Sequence, residues 1–283
     1  MSPGWTSLQI AAVVLGGLLV LREGGHRLVA PYAFGVLVAI AGAVALGSGG
    51  AWVRWLGGPR TGPVPELEIA GFGALFGLLA GYLAACRRRG VSVARSLDVL
   101  APAIGALVML ARIGCFVAGC DFGRPTNVPW ALRYPTMTPA FRAQLDAGLV
   151  HAGATHTLPV HPTQLYEACV GLAILVVTLR MRAARAPGDR FVVAVTSYAV
   201  GRIVIDLFRG DLTHGGAFGL TVTQGLAIAL LGIVVAWRAS RASRLDERGS
   251  DTEPDGEHET RSATERSTTG ESPRGEDGVV DDG

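Results

Sequence analysis

The chain has 283 residues, of which 49% are hydrophobic, with a formal net charge of +2 and four cysteines. Positive mean hydropathy argues against a water-soluble domain, and the small net charge argues against a nucleic-acid binder. Four cysteines are too few for a disulfide-built scaffold.

Seven predominantly apolar segments follow one another along the chain: 6–21, 30–48, 67–86, 96–118, 163–181, 190–208 and 217–237. A helix of about twenty such residues crosses a bilayer core. The first segment is short, but it lacks the basic start and small-residue cleavage pattern of a secretory signal, so it is expected to be a membrane helix. The fold expected is an all-α polytopic membrane protein of seven transmembrane helices.

Arginines orient the segments. The linkers after the first, third, fifth and seventh carry Arg22 and Arg27, then Arg87, Arg88, Arg89 and Arg95, then Arg180, Arg182, Arg185 and Arg190, then Arg238, Arg241 and Arg244. The opposite linkers are sparser, holding Arg54 and Arg60, then Arg124, Arg133 and Arg142 in a long loop, then Arg209. Basic residues collect on the cytoplasmic side, so the N-terminus is expected outside and the C-terminus in the cytoplasm. The membrane domain is expected to cover 1–244, with residues 119–162 forming a small extracytoplasmic head between helices four and five. From Asp246 onward the chain holds 13 acids and 4 arginines and almost no large apolar residue. Such a segment cannot bury enough surface to fold, so 245–283 is expected to be a disordered acidic cytoplasmic tail.

Polar side chains inside a bilayer are costly and mark sites. The octapeptide His161-Pro162-Thr163-Gln164-Leu165-Tyr166-Glu167-Ala168 opens the fifth span with a glutamine, a tyrosine and a glutamate. With the alternation above, Arg112 near the end of the fourth span and Arg202, Asp206 and Arg209 near the end of the sixth fall at the same outer level. Arg202 and Asp206 are four apart and share a helix face. Two arginines at headgroup depth suit a lipid phosphate, which a guanidinium grips with two parallel bonds. The structural alternative is a layer of ion pairs that only joins helices. Such pairs stabilise weakly once desolvation is counted, and glycines such as Gly73 and Gly77 already allow close packing.

Cys86 and Cys169 fall within apolar segments, while Cys115 and Cys120 lie near the outer end of the fourth. Their spacing matches no zinc or redox motif, and five residues apart on a continuous helix they do not share a face. A disulfide between them requires the helix to end in between.

The octapeptide, Arg112-Ile113-Gly114 with Gly119 and Gly123, Pro129-Trp130-Ala131 with Tyr134-Pro135, and Gly201-Arg202 with Asp206-Leu207-Phe208-Arg209 resemble, in order, the motifs of the prolipoprotein diacylglyceryl transferase family. The resemblance covers roughly 67–237 and extends to Gly219-Leu220 and Gln224. It implies an enzyme of the bacterial inner membrane that moves a diacylglyceryl group from phosphatidylglycerol to the cysteine thiol of precursor lipoproteins. The partners implied are phosphatidylglycerol, lipoprotein signal peptides and the membrane, with no nucleic acid, no metal and no cofactor. It implies catalytic roles for Arg112, Glu167, Arg202 and Asp206, and substrate contacts for Gly114, Cys115, Gly123, His161, Gln164, Tyr166 and Arg209.

The chain also departs from the family pattern. Cys115 stands where the family has asparagine, Cys120 where it has glutamate with Asp121 alongside, and Asp206 where glutamate is usual. The third span lacks the family histidine; one of His151, His156 and His161 in the head is a candidate to replace it, the alternative being that all three are ordinary solvated loop histidines. Tyr32 is the nearest match to an N-terminal tyrosine but falls on the second span. Two other functions fit the same residues: a lipid-binding paralogue without turnover, and a transferase with another acceptor.

Overall fold

The structure is a computed structural model that describes residues 3–47, 55–56, 71–181, 186–210 and 222–250. Among them lie helices α1 (Pro3–Gly24), α2 (His26–Gly47), α3 (Gly71–Arg88), α4 (Val93–Ala118), α5 (Pro139–Asp146), α6 (Thr163–Arg180), α7 (Asp189–Asp206) and α8 (Val222–Ser250). No strand occurs among the described residues; pairing is limited to isolated bridges such as Pro125 with Val160 and Pro135 with His156. The chain divides into two compact units, 1–234 and 235–283. Of the second, the helical residues 235–250 are described.

Among the described residues, four helices are long and apolar enough to cross a membrane: Gly4–Gly24, His26–Ala45, Val93–Ala118 and Thr163–Arg180. This all-helical chain is of the polytopic membrane type. The others are less apolar for visible reasons. Helix α7 carries Asp189, Arg190, Arg202 and Asp206, and α3 ends in Arg87 and Arg88. Large apolar side chains on the outer faces, such as Ile10, Leu37, Ile40 and Val200, are at least half exposed, which suits a hydrocarbon surround better than water.

Glycines set the closest helix contacts. A Cβ added at Gly105 of α4 would lie 2.9 Å from the carbonyl oxygen of Gly171 on α6, and the reciprocal contact is the same. Gly42 of α2 and Gly73 of α3 meet backbone to backbone in the same way. Small residues let membrane helices approach so closely that dispersion holds them together without a hydrophobic drive. A core shared by α1, α2, α3 and α4 is filled by Leu19, Val20, Tyr32, Leu78, Tyr82, Leu100 and Ile104. Tyr32 lies on α2, as its position in the chain implied, and donates to the carbonyl oxygen of Val13 at 3.0 Å.

The bundle has two distinct ends. At one, Arg190 pairs with Glu23 at 2.6 Å, and Asp98 accepts from the backbone N–H groups of Gly188 at 2.6 Å and Phe191 at 3.2 Å. Those bonds satisfy N–H groups that a helix start leaves unpaired. At the other end the first turns of α1 meet the last turns of α4, with Gly114 facing Trp5 and Gln9. This is the end where α4 and α7 finish and α6 begins.

Residues 119–162 fold over that end. Thr138 caps α5 by accepting from the N–H of Phe141, with Pro139 at the first helical position. Phe122, Tyr134, Ala140 and Val160 form a small core of their own. Buried Gln144 accepts from the N–H of Leu158 at 2.8 Å.

Helix α8 continues to Ser250, past the 244/245 boundary expected for the tail. The stretch Arg241-Ala242-Ser243-Arg244-Leu245-Asp246-Glu247-Arg248 contains no helix breaker before Gly249, and most of its residues favour helix. The rest of the expected tail, and Arg54, Arg60, Arg182 and Arg185, lie outside the described residues.

Candidate active site

The helix ends deliver three arginines and three carboxylates to one place. Glu167, in the second turn of α6, is 2% exposed at its side chain. Its Oε1 accepts from Nη1 of Arg202 at 2.7 Å and lies 3.5 Å from Nη1 of Arg209. Its Oε2 lies 2.9 Å from Nε of Arg112. Arg202 is four residues before Asp206 on α7, and its Nε lies 3.1 Å from that carboxylate. Asp121, just beyond α4, bridges Arg112 and Arg209: Oδ2 takes Nη1 of Arg112 at 2.5 Å and Oδ1 takes Nη2 of Arg209 at 2.9 Å. Glu167 is therefore a shared acceptor rather than half of a pair.

The six formal charges balance, which is how the protein tolerates so many in a place poorly reached by water. Burial is graded. Arg202 and Arg209 are each 6% exposed at the side chain, whereas Arg112 and Asp121 are 20% and 29% exposed. The edge formed by Arg112 and Asp121 is thus the open side of the cluster. Burial pushes the Asp121 carboxyl up, but Arg112 and Arg209 outweigh it and hold its pKa down at about 2. Asp121 is ionised at any physiological pH.

Local structure positions these groups. Helix α4 ends at Gly119 with φ 73, and Asp121 follows at φ 54, the left-handed region that aspartate tolerates better than most residues. The resulting turn points two backbone carbonyls at the start of α6. Gln164 Nε2 donates to Cys120 O at 2.6 Å and Thr163 Oγ1 donates to Asp121 O at 2.7 Å. Gly123 donates to His161 O at 3.0 Å and bridges Arg209. A side chain at Gly123 would collide with the His161 backbone.

A rim of aromatic groups borders the cluster. The Tyr166 hydroxyl accepts from Trp130 Nε1 at 2.6 Å and lies 3.2 Å from His161 Nδ1. Phe208 packs edge-on against His161 at 5.1 Å, with Arg124 over its ring at 5.8 Å. Burial, then the charge of Arg124, lower the His161 pKa below its ordinary 6.5, so the ring is mostly neutral at pH 7. An apolar groove of about 470 Å³ runs from Tyr166 and Phe208 between α6 and α7, past Cys169, Val170, Gly201 and Val204.

Of the residues expected at the site, Arg112, Glu167, Arg202, Asp206 and Arg209 meet in the ion cluster. Gln164, Gly123, His161 and Tyr166 frame it. Cys115 is half-buried on the last turns of α4. Gly114 faces Trp5 and Gln9 of α1. His151 and His156 are exposed in the head, with His151 Nδ1 accepting from Gly153 N and His156 beside Thr155. Asp121, expected only as a stand-in for the family glutamate, joins the cluster, and Trp130 and Phe208, which stand within the motifs but were given no role, line its rim.

A family model described as prolipoprotein diacylglyceryl transferase matches residues 64–238. Among curated proteins, the phosphatidylglycerol–prolipoprotein diacylglyceryl transferase of Gloeobacter violaceus is 33% identical over 257 residues, covering 86% of this chain and 91% of that protein. The Clostridium tetani protein of the same name is 28% identical over 58% of this chain and 61% of its own length. That of Streptomyces griseus is 32% identical over 64% and 51%.

Proposed function

The chain belongs to the prolipoprotein diacylglyceryl transferase family, and from that premise we propose that it transfers the diacylglyceryl group of phosphatidylglycerol to the cysteine thiol of a precursor lipoprotein. The observation that carries the reading to this chain's own residues is the buried Glu167, which holds three arginines with Arg112 at the open edge. A fold that needs only glue has no use for a guanidinium cluster with one side exposed. The seven segments span the bilayer with the site and residues 119–162 at the outer face, residues 1–244 forming the membrane domain and the acidic tail lying in the cytoplasm.

The chemistry follows from the cluster. The phosphodiester of the lipid binds at the edge of Arg112, and its acyl chains lie along the apolar groove between α6 and α7. Arg202 and Arg209, held by Glu167, Asp206 and Asp121, keep the positive field aimed at the leaving phosphate oxygen. There the field counts most, because charge grows there as the carbon–oxygen bond breaks. The acceptor thiol attacks that carbon, a thioether forms, and glycerol phosphate leaves with the electron pair of the broken bond.

The thiol must lose its proton to attack well. Asp121 is a poor base, since a carboxylate held at about 2 barely competes for a proton. Glu167 and Asp206 are committed to arginines. His161 lies at the rim, its pKa is held below the ordinary value, and among the described residues it makes no salt bridge, so it receives the proton, with Tyr166 fixing its ring. This role also answers the missing histidine of the third span.

Mass spectrometry on a lipobox-cysteine peptide, incubated with the protein in phosphatidylglycerol vesicles, tests the reading. The expected result is a diacylglyceryl mass gain that is lost in Arg202→Ala. No gain, with phosphatidylglycerol still bound, would replace the transferase by a binding paralogue.

A further inference from the structure

The last turn of α4 brings two thiols together that a continuous helix would hold apart. The Gly119 N–H bonds Phe116 O at 3.2 Å and the Cys120 N–H bonds Cys115 O at 3.1 Å, with Gly119 left-handed between them. This is a Schellman ending, in which the residues joined by the outer bond lie side by side. Here those residues are Cys115 and Cys120. Their sulfurs lie within 4.8 Å of one another, a gap within the sweep of two side-chain rotations. Both are free and half-buried.

The same atoms, with Asp121, are spaced as a metal site would be. The electrostatics argue against one. Both Asp121 oxygens hold guanidinium groups, and two arginine cations within 3 Å of that carboxylate repel a dication. What remains is a dithiol at the edge of the ion cluster.

Its connections run directly into the site. The Cys120 carbonyl holds Gln164, and the next residue, Asp121, holds Arg112, Arg209 and Thr163. A bond formed at the Cys120 sulfur therefore pulls on the backbone that positions the open edge of the cluster.

We propose that Cys115 and Cys120 form a reversible disulfide by exchange with an external disulfide, and that the oxidised form transfers poorly. In the first step the Cys120 thiolate attacks one sulfur of the external disulfide and expels one thiolate. The Cys115 thiolate then attacks the Cys120 sulfur of the mixed disulfide and expels the second. The protons of the two protein thiols end on the two external thiols, so the dithiol is oxidised and the external disulfide reduced. Cys120 is the first attacker because it lies beyond the helix end, whereas Cys115 is held in the last turn. The effect on transfer rests on the function proposed above; the disulfide itself does not.

The test uses the full chain in phosphatidylglycerol vesicles, treated with oxidised glutathione or with dithiothreitol and then freed of reagent before acceptor peptide is added. Tryptic cleavage after Arg112 and Arg133 isolates both cysteines on one peptide, since the Arg124–Pro125 bond resists trypsin. That peptide should lose the mass of two hydrogen atoms after oxidation and regain it on reduction. Transfer by oxidised protein should fall to a small fraction of that by reduced protein. The Cys86→Ser, Cys169→Ser double variant should show the same ratio, and Cys120→Ser a ratio of one whatever its basal rate. The proposal is overturned if both thiols stay open to alkylation after oxidation, if zinc alone protects them, or if the disulfide forms without changing the ratio. If reduced protein transfers nothing, the proposed function fails, and the peptide mass still decides whether the dithiol closes.

Discussion

Replacing Glu167 by glutamine keeps the shape of the side chain and removes its charge, leaving three arginines facing two carboxylates. The strongest loss is at Arg202, where both partners are almost fully buried and 2.7 Å apart. Breaking one partner of such a buried pair costs about 3–5 kcal/mol, because the remaining charge cannot be rehydrated. The contact to Arg112 adds less, since that side chain is 20% exposed and solvent screens it. The 3.5 Å contact to Arg209 adds little. For a domain of this size about 2–4 °C is lost per kcal/mol, so the melting temperature should fall by about 6–20 °C. Thermal unfolding of wild type and Glu167→Gln in the same detergent, followed by tryptophan fluorescence, measures this directly. A drop equivalent to less than about 1 kcal/mol, the worth of an exposed ion pair, would refute the claim that Glu167 is the charged hub of the cluster.

Arg202→Lys should lower transfer by about 10²–10³, the cost of losing one preorganised donor, because one ammonium cannot hold Glu167 and Asp206 together; turnover within tenfold of wild type would rule out the fork argument. If His161 accepts the thiol proton, transfer should fall as pH drops through a value below 6.5 and stay high above it. Arg124→Ala should move that limb to higher pH, since removing a nearby cation favours protonation, and an unmoved limb would clear Arg124 and His161 of the role. Asp121 has a folded pKa of about 2, below its unfolded value near 3.8, so its ion pairs stabilise fully above about pH 4 and are lost as pH falls toward 2. Asp121→Asn should flatten acid unfolding in that window, and a profile identical to wild type would count against the bridge.

Much of this arrangement is legible in the chain because membrane helices are long, apolar and alternate in direction. Arginine bias and span count alone put Arg112, Glu167, Arg202 and Asp206 at one level, and the four meet there. The bridge that Asp121 makes between Arg112 and Arg209 was not legible, because it depends on the turn after α4. That turn rests on two left-handed residues, Gly119 and Asp121, whose conformation no apolar periodicity encodes. The contact of Trp130 with Tyr166 joins residues 36 apart through an irregular loop, where pattern carries no register. Gly114 has a packing neighbour that its arginine–glycine motif did not encode, since its missing side chain leaves room for Trp5 and Gln9 of α1. Helix α8 passed the expected boundary because composition marks where burial ends, and a chain of helix formers need not stop there.

The measurement that bears most directly on the account is which bond of the lipid breaks. Vesicles of phosphatidylglycerol labelled in the headgroup, incubated with the protein and a lipobox-cysteine peptide, allow released headgroup and peptide thioether to be counted together. The account predicts labelled glycerol phosphate in one-to-one proportion with the thioether, and neither product with a peptide carrying serine at the acceptor position. Release of free glycerol or fatty acid, or thioether without glycerol phosphate, would contradict it.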